Sequence, residues 1–195
     1  MQAEPWLVVI DFQEIFARPD SGWFVPRYAD AAAATVELLP RFGDRVVFTR
    51  FVAPSTPTGA WIDYYEKWPF ALVSEADPLY DLSAEFASNR HAVVSLTTLG
   101  KWGPELEAAV HGSRDVVLVG VSTDCCVLST ALAAADAGVR VRVVADACAG
   151  VSDEDHRRAL DVMRLYAPLI DITSGAELTG VATEATDTAV RSWSR

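Results

Sequence analysis

Six short apolar runs, rich in β-branched residues, recur along the chain: "WLVVI" (6–10), "RVVFT" (45–49), "HAVVSL" (91–96), "DVVLVGV" (115–121), "RVRVV" (140–144) and "LIDIT" (169–173). Most are apolar at nearly every position rather than at alternate ones. That is the signature of strands buried on both faces of a parallel sheet. Helical patterns fill the gaps at about 26–41, 104–111, 124–137 and 153–166. The third stops at Gly138 and the fourth follows Ser152, a suitable terminator and a suitable N-cap. This alternation predicts a three-layer α/β/α fold around a central, mostly parallel six-stranded sheet, with right-handed crossovers.

A chain of 195 residues is expected to form a single domain over 1–195, with 175–195 as a C-terminal tail. The last stretch, "TGVATEATDTAVRSWSR", reads as weakly structured or as part of an oligomer contact. A net charge of −11 argues against a nucleic-acid surface, which needs clustered Lys and Arg. No apolar run approaches the length of a membrane span, and "MQAEPWLVVIDFQ" lacks the basic start of a signal peptide. Three cysteines, two of them adjacent, do not make a disulfide framework, so a reducing cytoplasm is expected.

Residues 50–90 are the irregular part, rich in Pro and aromatics and longer than a plain connection needs. In an open α/β sheet, ligands bind beyond the carboxyl ends of the strands. The residues there are Asp11, Phe12 and Gln13; Arg50 and Phe51; Thr97 to Trp102, including Lys101; Ser122 to Cys126; and Asp146 and Cys148. Cys126 falls in the first turn of the helix after the fourth run, which Thr123 or Asp124 would cap. Free N–H groups and the helix dipole favour a thiolate at such a place. A nearby lysine would lower the thiol pKa further. A nearby aspartate would take the thiol proton and return it to a leaving group. The turn "GVSTDC" gathers backbone N–H groups as an oxyanion hole requires. Singly, each residue has a plainer reading: a small buried hydrophobe for Cys126, a turn cap for Asp11, a solvated loop residue for Lys101. Their convergence on one sheet edge favours chemistry.

These residues also carry a resemblance. Over roughly 5–175 the chain resembles the isochorismatase-like cysteine hydrolases, a superfamily that includes nicotinamidases and N-carbamoylsarcosine amidase. The signatures are "VVIDFQ", the lysine of "TLGKWG", and "GVSTDCCV" followed by "STALAAADAGVRVRVVADACA". The resemblance implies a triad of Asp11, Lys101 and Cys126, with Cys125 at a variable, packing position. It implies a cis peptide between Val121 and Ser122, and an oxyanion hole from the backbone N–H groups of Ser122 and Cys126. It implies acyl transfer: Cys126 attacks an amide-type carbonyl, Asp11 shuttles the proton, and water hydrolyses the thioester. It also implies a homodimer or homotetramer acting on a small molecule, without nucleic-acid or membrane partners.

Nicotinamidases place an Asp and several His after the second strand as metal ligands. Here that place reads "TRFVAPSTPTGAW", and His91, His111 and His156 are dispersed. No metal and no cofactor are therefore expected. The substrate is expected to meet Phe16, Gln13, Trp102, Phe51, Arg50 and Trp61, with Trp23, Tyr64, Tyr65 and Trp68 as further aromatic candidates. Arg50 would hold a substrate carboxylate, and Asp124 would brace the oxyanion turn. The leading expectation is a metal-independent cysteine hydrolase that cleaves a C–N bond of a small amide or ureido compound. The alternatives are vinyl-ether hydrolysis of an isochorismate-like acid, which would survive loss of Cys126, and a non-catalytic binding protein on the same fold.

Overall fold

The structure, a computed structural model, describes residues 4–180. Its elements in chain order are β1 (Trp6–Ile10), α1 (Glu14–Ala17), α2 (Tyr28–Leu38), β2 (Val46–Phe51), α3 (Trp61–Lys67), β3 (Ala92–Leu96), α4 (Pro104–Ala109), β4 (Asp115–Val121), α5 (Leu128–Asp136), β5 (Arg140–Ala149), α6 (Asp153–Arg164), β6 (Ile170–Thr173) and α7 (Gly175–Thr179). The strands form one sheet in the order β3-β2-β1-β4-β5-β6, with every pairing parallel.

Side chains alternate across this sheet. Leu7 and Val9 of β1 face one side with Phe48, Val117 and the α2 residues Tyr28, Ala31, Ala32 and Leu38. Val8 and Ile10 face the other with Leu106 of α4, Ala131 and Ala134 of α5, and Leu160 and Met163 of α6. Both faces are therefore covered, which is why the strands carry apolar residues at successive positions.

Some boundaries differ from the sequence expectations. β5 runs on to Ala149 instead of stopping near 144, so Asp146 and Cys148 lie inside it. The β4–β5 register shifts between Leu118 and Gly120, with the extra residues in β5, and the strands pair again, Gly120 with Cys148 and Val121 with Ala149. β2 likewise includes Arg50 and Phe51. The 50–90 segment is not a plain loop: it contains α3 and the short helical turns Pro69–Ala71 and Pro78–Tyr80. The segment expected to be a tail from 175 opens with α7, where Ser174 and Glu177 form a reciprocal capping box. The rest of that stretch, from 181, lies outside the described residues. No helix among those described is long and apolar enough to cross a membrane.

This topology sets the position of the site. From β1 the chain builds outward through β2 to β3, then returns to lay β4 against the other side of β1. Such a reversal opens a crevice at the carboxyl ends of the two central strands. The strands approach closely there. Gly120 has φ +128°, and a Cβ added to it would lie 2.1 Å from the Ile10 carbonyl oxygen. Gly120→Ala should therefore destabilise the fold by roughly 3 kcal/mol or more through overpacking and backbone strain. In a thermal melt this lowers Tm by about 6–12 °C for a chain of this size; an unchanged Tm would contradict the close approach.

Candidate active site

The crevice floor is built from three strand ends. Asp11 follows β1 in a left-handed backbone conformation, φ 52°, and is fully buried. Thr49 of β2 donates its hydroxyl proton to Asp11 Oδ1 at 2.6 Å. Asp11 Oδ2 lies 3.0 Å from Lys101 Nζ, and both side chains are wholly out of solvent. That oxygen accepts no regular hydrogen bond, so a lone pair stays available. Lys101 comes from the loop after β3. Its Nζ donates to the Thr98 carbonyl at 2.6 Å and sits 5.0 Å from the centre of the Phe51 ring. The loop leans on α5: the Lys101 amide donates to Thr130 Oγ1 at 2.9 Å, and Thr130 donates to the Cys126 carbonyl at 2.6 Å. The lysine and the turn that carries Cys126 are therefore tied through one threonine.

Cys126 lies in a π-helical turn, Thr123–Val127, ahead of α5. The peptide between Val121 and Ser122 is cis. The Cys125 and Val127 amides both donate to the Ser122 carbonyl, at 3.2 and 3.1 Å. The Ser122 amide meets no acceptor among the described residues. Neither Thr123 nor Asp124 caps the turn, contrary to expectation. Thr123 Oγ1 instead lies 2.8 Å from His156 Nδ1 on α6, and Asp124 Oδ1 accepts from the Val151 amide at 3.0 Å. Asp124 thus braces the turn against the β5–α6 connection.

The thiols depart from expectation too. The hydrogen bond between Cys125 and Cys126, then burial, then the Asp11 carboxylate raise the Cys126 thiol; Lys101 opposes them. The same hydrogen bond, with help from Lys101, lowers the half-exposed Cys125. The helix-end and lysine effects expected for Cys126 are outweighed. Two of the turn's amides are already spent on Ser122, and Cys126 is only 2% exposed. Cys126 is held toward the thiol form, with the Asp11 carboxylate among the charges that it feels.

A cavity of about 480 Å³ opens above this floor. Phe16, Trp23, Phe51, Tyr64, Trp68 and Leu99 form its wall, with Ser122, Asp124, Cys125, Cys126 and Val151 below. Trp23 is the hub: its ring lies 6.0 Å from Phe16, 5.6 Å from Phe51, 5.9 Å from Tyr64 and 6.3 Å from Trp68. Of the residues expected to meet substrate, Phe16 and Phe51 line the cavity. The other four do not. Gln13 is fully buried and spends its amide on the backbone of Phe51 and Tyr80. Arg50 borders a separate cavity, bound to Ser95 and Glu75. Trp61 packs on Tyr64 and Tyr65, and Trp102 packs on the opposite core. Gly22, Phe24, Leu99 and Val151 line the cavity without having been singled out. Leu99 falls within the strand-end stretch Thr97 to Trp102, and Val151 would have followed had β5 been carried to its true end. Among the described residues no three His, Cys, Asp or Glu side chains gather as a metal ion would need.

Burial pushes the Cys148 thiol up to about 12. Iodoacetamide should therefore alkylate the cysteines in the order Cys125, Cys126, Cys148. Cys125 should react below the ordinary thiol pKa of about 8.5, and Cys126 only as the pH rises past it. Peptide mass spectrometry across pH reads this directly; Cys126 reacting first would overturn the assignment.

The Isochorismatase domain family model matches residues 5–174. Isochorismatase domain-containing protein 2 of Xenopus laevis is 36% identical over 85 residues, which is 42% of this chain and 42% of that protein. The alignment thus spans about two fifths of the curated relative. A cysteine hydrolase from Pseudomonas syringae pv. phaseolicola 1448A superposes with a TM-score of 0.78 at 20% identity, over 89% of this chain and 90% of that one. N-carbamoylsarcosine amidase from Thermoplasma acidophilum superposes with a TM-score of 0.71 at 20% identity, over 94% and 100%. At that identity the two likenesses speak for the fold alone. The family match runs from β1 through β6 and takes in Asp11, Lys101 and Cys126, and so the chain belongs to the isochorismatase family and carries the isochorismatase-like hydrolase fold.

Proposed function

We propose that this protein is a metal-independent cysteine hydrolase that cleaves the C–N bond of a small, uncharged amide or ureido compound. The observation that carries the reading is the buried Asp11–Lys101 pair, 3.0 Å apart, within electrostatic reach of the buried Cys126 thiol at the floor of an aromatic cavity. In this mechanism Asp11 Oδ2 takes the Cys126 proton as Sγ bonds to the carbonyl carbon. The carbonyl electron pair moves to oxygen, where the amides of Ser122 and Cys126 receive the oxyanion. Collapse re-forms the carbonyl and breaks the C–N bond. Asp11 returns its proton to the departing nitrogen, leaving a thioester on Cys126. A water molecule, deprotonated by Asp11, attacks the thioester, and Cys126 recovers its proton as the acid leaves. Lys101, 3.0 Å from Asp11 Oδ2, holds that carboxylate in place through these transfers.

The cavity supports an uncharged substrate. No Lys or Arg lines it, and its one carboxylate is Asp124. Lys101 is already engaged by Asp11 and Thr98, and Arg50 faces elsewhere. An acid entering the cavity would lose its hydration without gaining a counter-ion.

Cys126→Ala and Asp11→Asn should each lower the hydrolysis of a neutral aromatic or branched-chain amide by roughly 10³-fold or more, measured as ammonia or amine release. Amide turnover that survives Cys126→Ala would overturn the cysteine mechanism; hydrolysis of an isochorismate-like acid that survives the same change would favour the vinyl-ether chemistry instead. The same assay on a matched amide bearing a carboxylate should give a kcat/KM at least tenfold lower. Lys101→Ala leaves a buried carboxylate unpaired, so it should cost roughly 3–5 kcal/mol of stability as well as activity. A thermal melt that matches wild type would contradict that pairing.

A further inference from the structure

We propose that His156 is a positioning residue for the nucleophile: it holds the turn that carries Cys126 by accepting a hydrogen bond from Thr123. The proposal rests on the reading of Cys126 as nucleophile. The Thr123 side chain is fully buried at the first position of the turn. Its hydroxyl proton needs an acceptor, and His156 Nδ1 at 2.8 Å is the one partner it meets among the described residues. As the acceptor in this contact the imidazole is neutral, with its proton on Nε2. Its surroundings agree. Burial lowers the His156 pKa, Asp153 of its own helix raises it, and Arg27 before α2 lowers it. Asp124 of the turn and Arg164 of α6 add smaller opposing effects. Asp30, Asp146 and Cys148 share with His156 a polar cavity of about 300 Å³.

The contact is built in from both sides. Ser152 caps α6 and accepts from the Asp155 amide at 3.0 Å, which fixes the first turn of the helix that bears His156. Gly150 brings the chain in tightly: a Cβ there would lie 2.7 Å from Asp124 Oδ1 and 2.9 Å from the His156 amide nitrogen. The turn thus meets α6 through Thr123–His156 and the preceding connection through Asp124–Val151. Thr123 and Asp124, which make these two bonds, stand in the chain between Ser122 and the Cys125–Cys126 pair. A shift of the turn would move the nucleophile and the oxyanion donors together while leaving the wall in place.

That arrangement predicts a loss in kcat rather than in KM. In the amide-hydrolysis assay His156→Ala and Thr123→Val should each lower kcat by about 10- to 100-fold, with KM within threefold of wild type. The double variant should be no worse than either single one, because both remove the same contact. His156→Asn, whose side-chain oxygen can accept from Thr123, should recover kcat to within fivefold of wild type. Alkylation of buried Cys148 reports loosening of the fold and should stay as slow as in wild type in every variant. Unchanged kcat in the single variants, additive losses in the double variant, failure of His156→Asn to recover, or losses that track faster Cys148 alkylation would each overturn the proposal. Cys126→Ala run alongside separates the two claims: if it retains turnover the cysteine reading fails, whereas its loss beside a fully active His156→Ala sinks this inference alone.

Discussion

The site depends on one buried ion pair. Removing a carboxylate and an ammonium from water costs several kcal/mol for each ion, and their attraction offsets this only when geometry and hydrogen bonds are favourable. Here the supporting groups come from β2 and from the loop after β3. Thr49 on β2 satisfies one oxygen of Asp11, the Thr98 carbonyl takes a proton of Lys101, and the Phe51 ring lies near the ammonium. The pair is therefore possible only when β1, β2 and the loop after β3 are in register. The geometry of the floor is a by-product of correct sheet assembly.

Floor and wall follow different physics. The floor is polar, nearly free of solvent, and made at the carboxyl ends of neighbouring strands. The wall is aromatic, centred on Trp23, and supplied by the segment after α1 and by α3. Rings packed at 5 to 6 Å hold one another by edge and offset contacts and need no hydrogen bonds to stay in place. One half of the site holds buried charge; the other offers shape and excludes water.

Much of this was legible in the residues. Valine-rich runs mark the strands because a doubly covered sheet demands apolar side chains on both faces, and Asp11, Lys101 and the Cys126 turn follow from where such strands end. The illegible part is of two kinds. Polar residues within β5 hid its last turn toward the site, since the register shift between Leu118 and Gly120, beyond which the strands pair again, has no sequence signature. Gln13 and Arg50 stand near site residues in sequence, but their partners come from distant parts of the chain, while Trp61 packs along its own helix and Trp102 joins the opposite core. Gln13 is claimed by the backbone of Phe51 and Tyr80, and Arg50 by Glu75. The protonation of Cys126 was likewise unreadable, because it depends on burial and on the neighbouring thiol rather than on helix position.

The clamp made by Gln13 has a consequence for how such a protein diversifies. Its side chain bonds both ways to Phe51 at the end of β2 and to the Tyr80 carbonyl, and the Tyr80 hydroxyl in turn reaches the Ala71 carbonyl. The long excursion between β2 and β3 is thus fastened to the sheet near its beginning and again near its end. What lies between, including α3 with Tyr64 and the nearby Trp68, is a cassette whose attachment points do not include Asp11, Lys101 or Cys126. Mutational drift or a change of length inside that cassette remodels the chamber while Asp11, Lys101 and Cys126 keep their places, so that the shape of the cavity can change without rebuilding its floor.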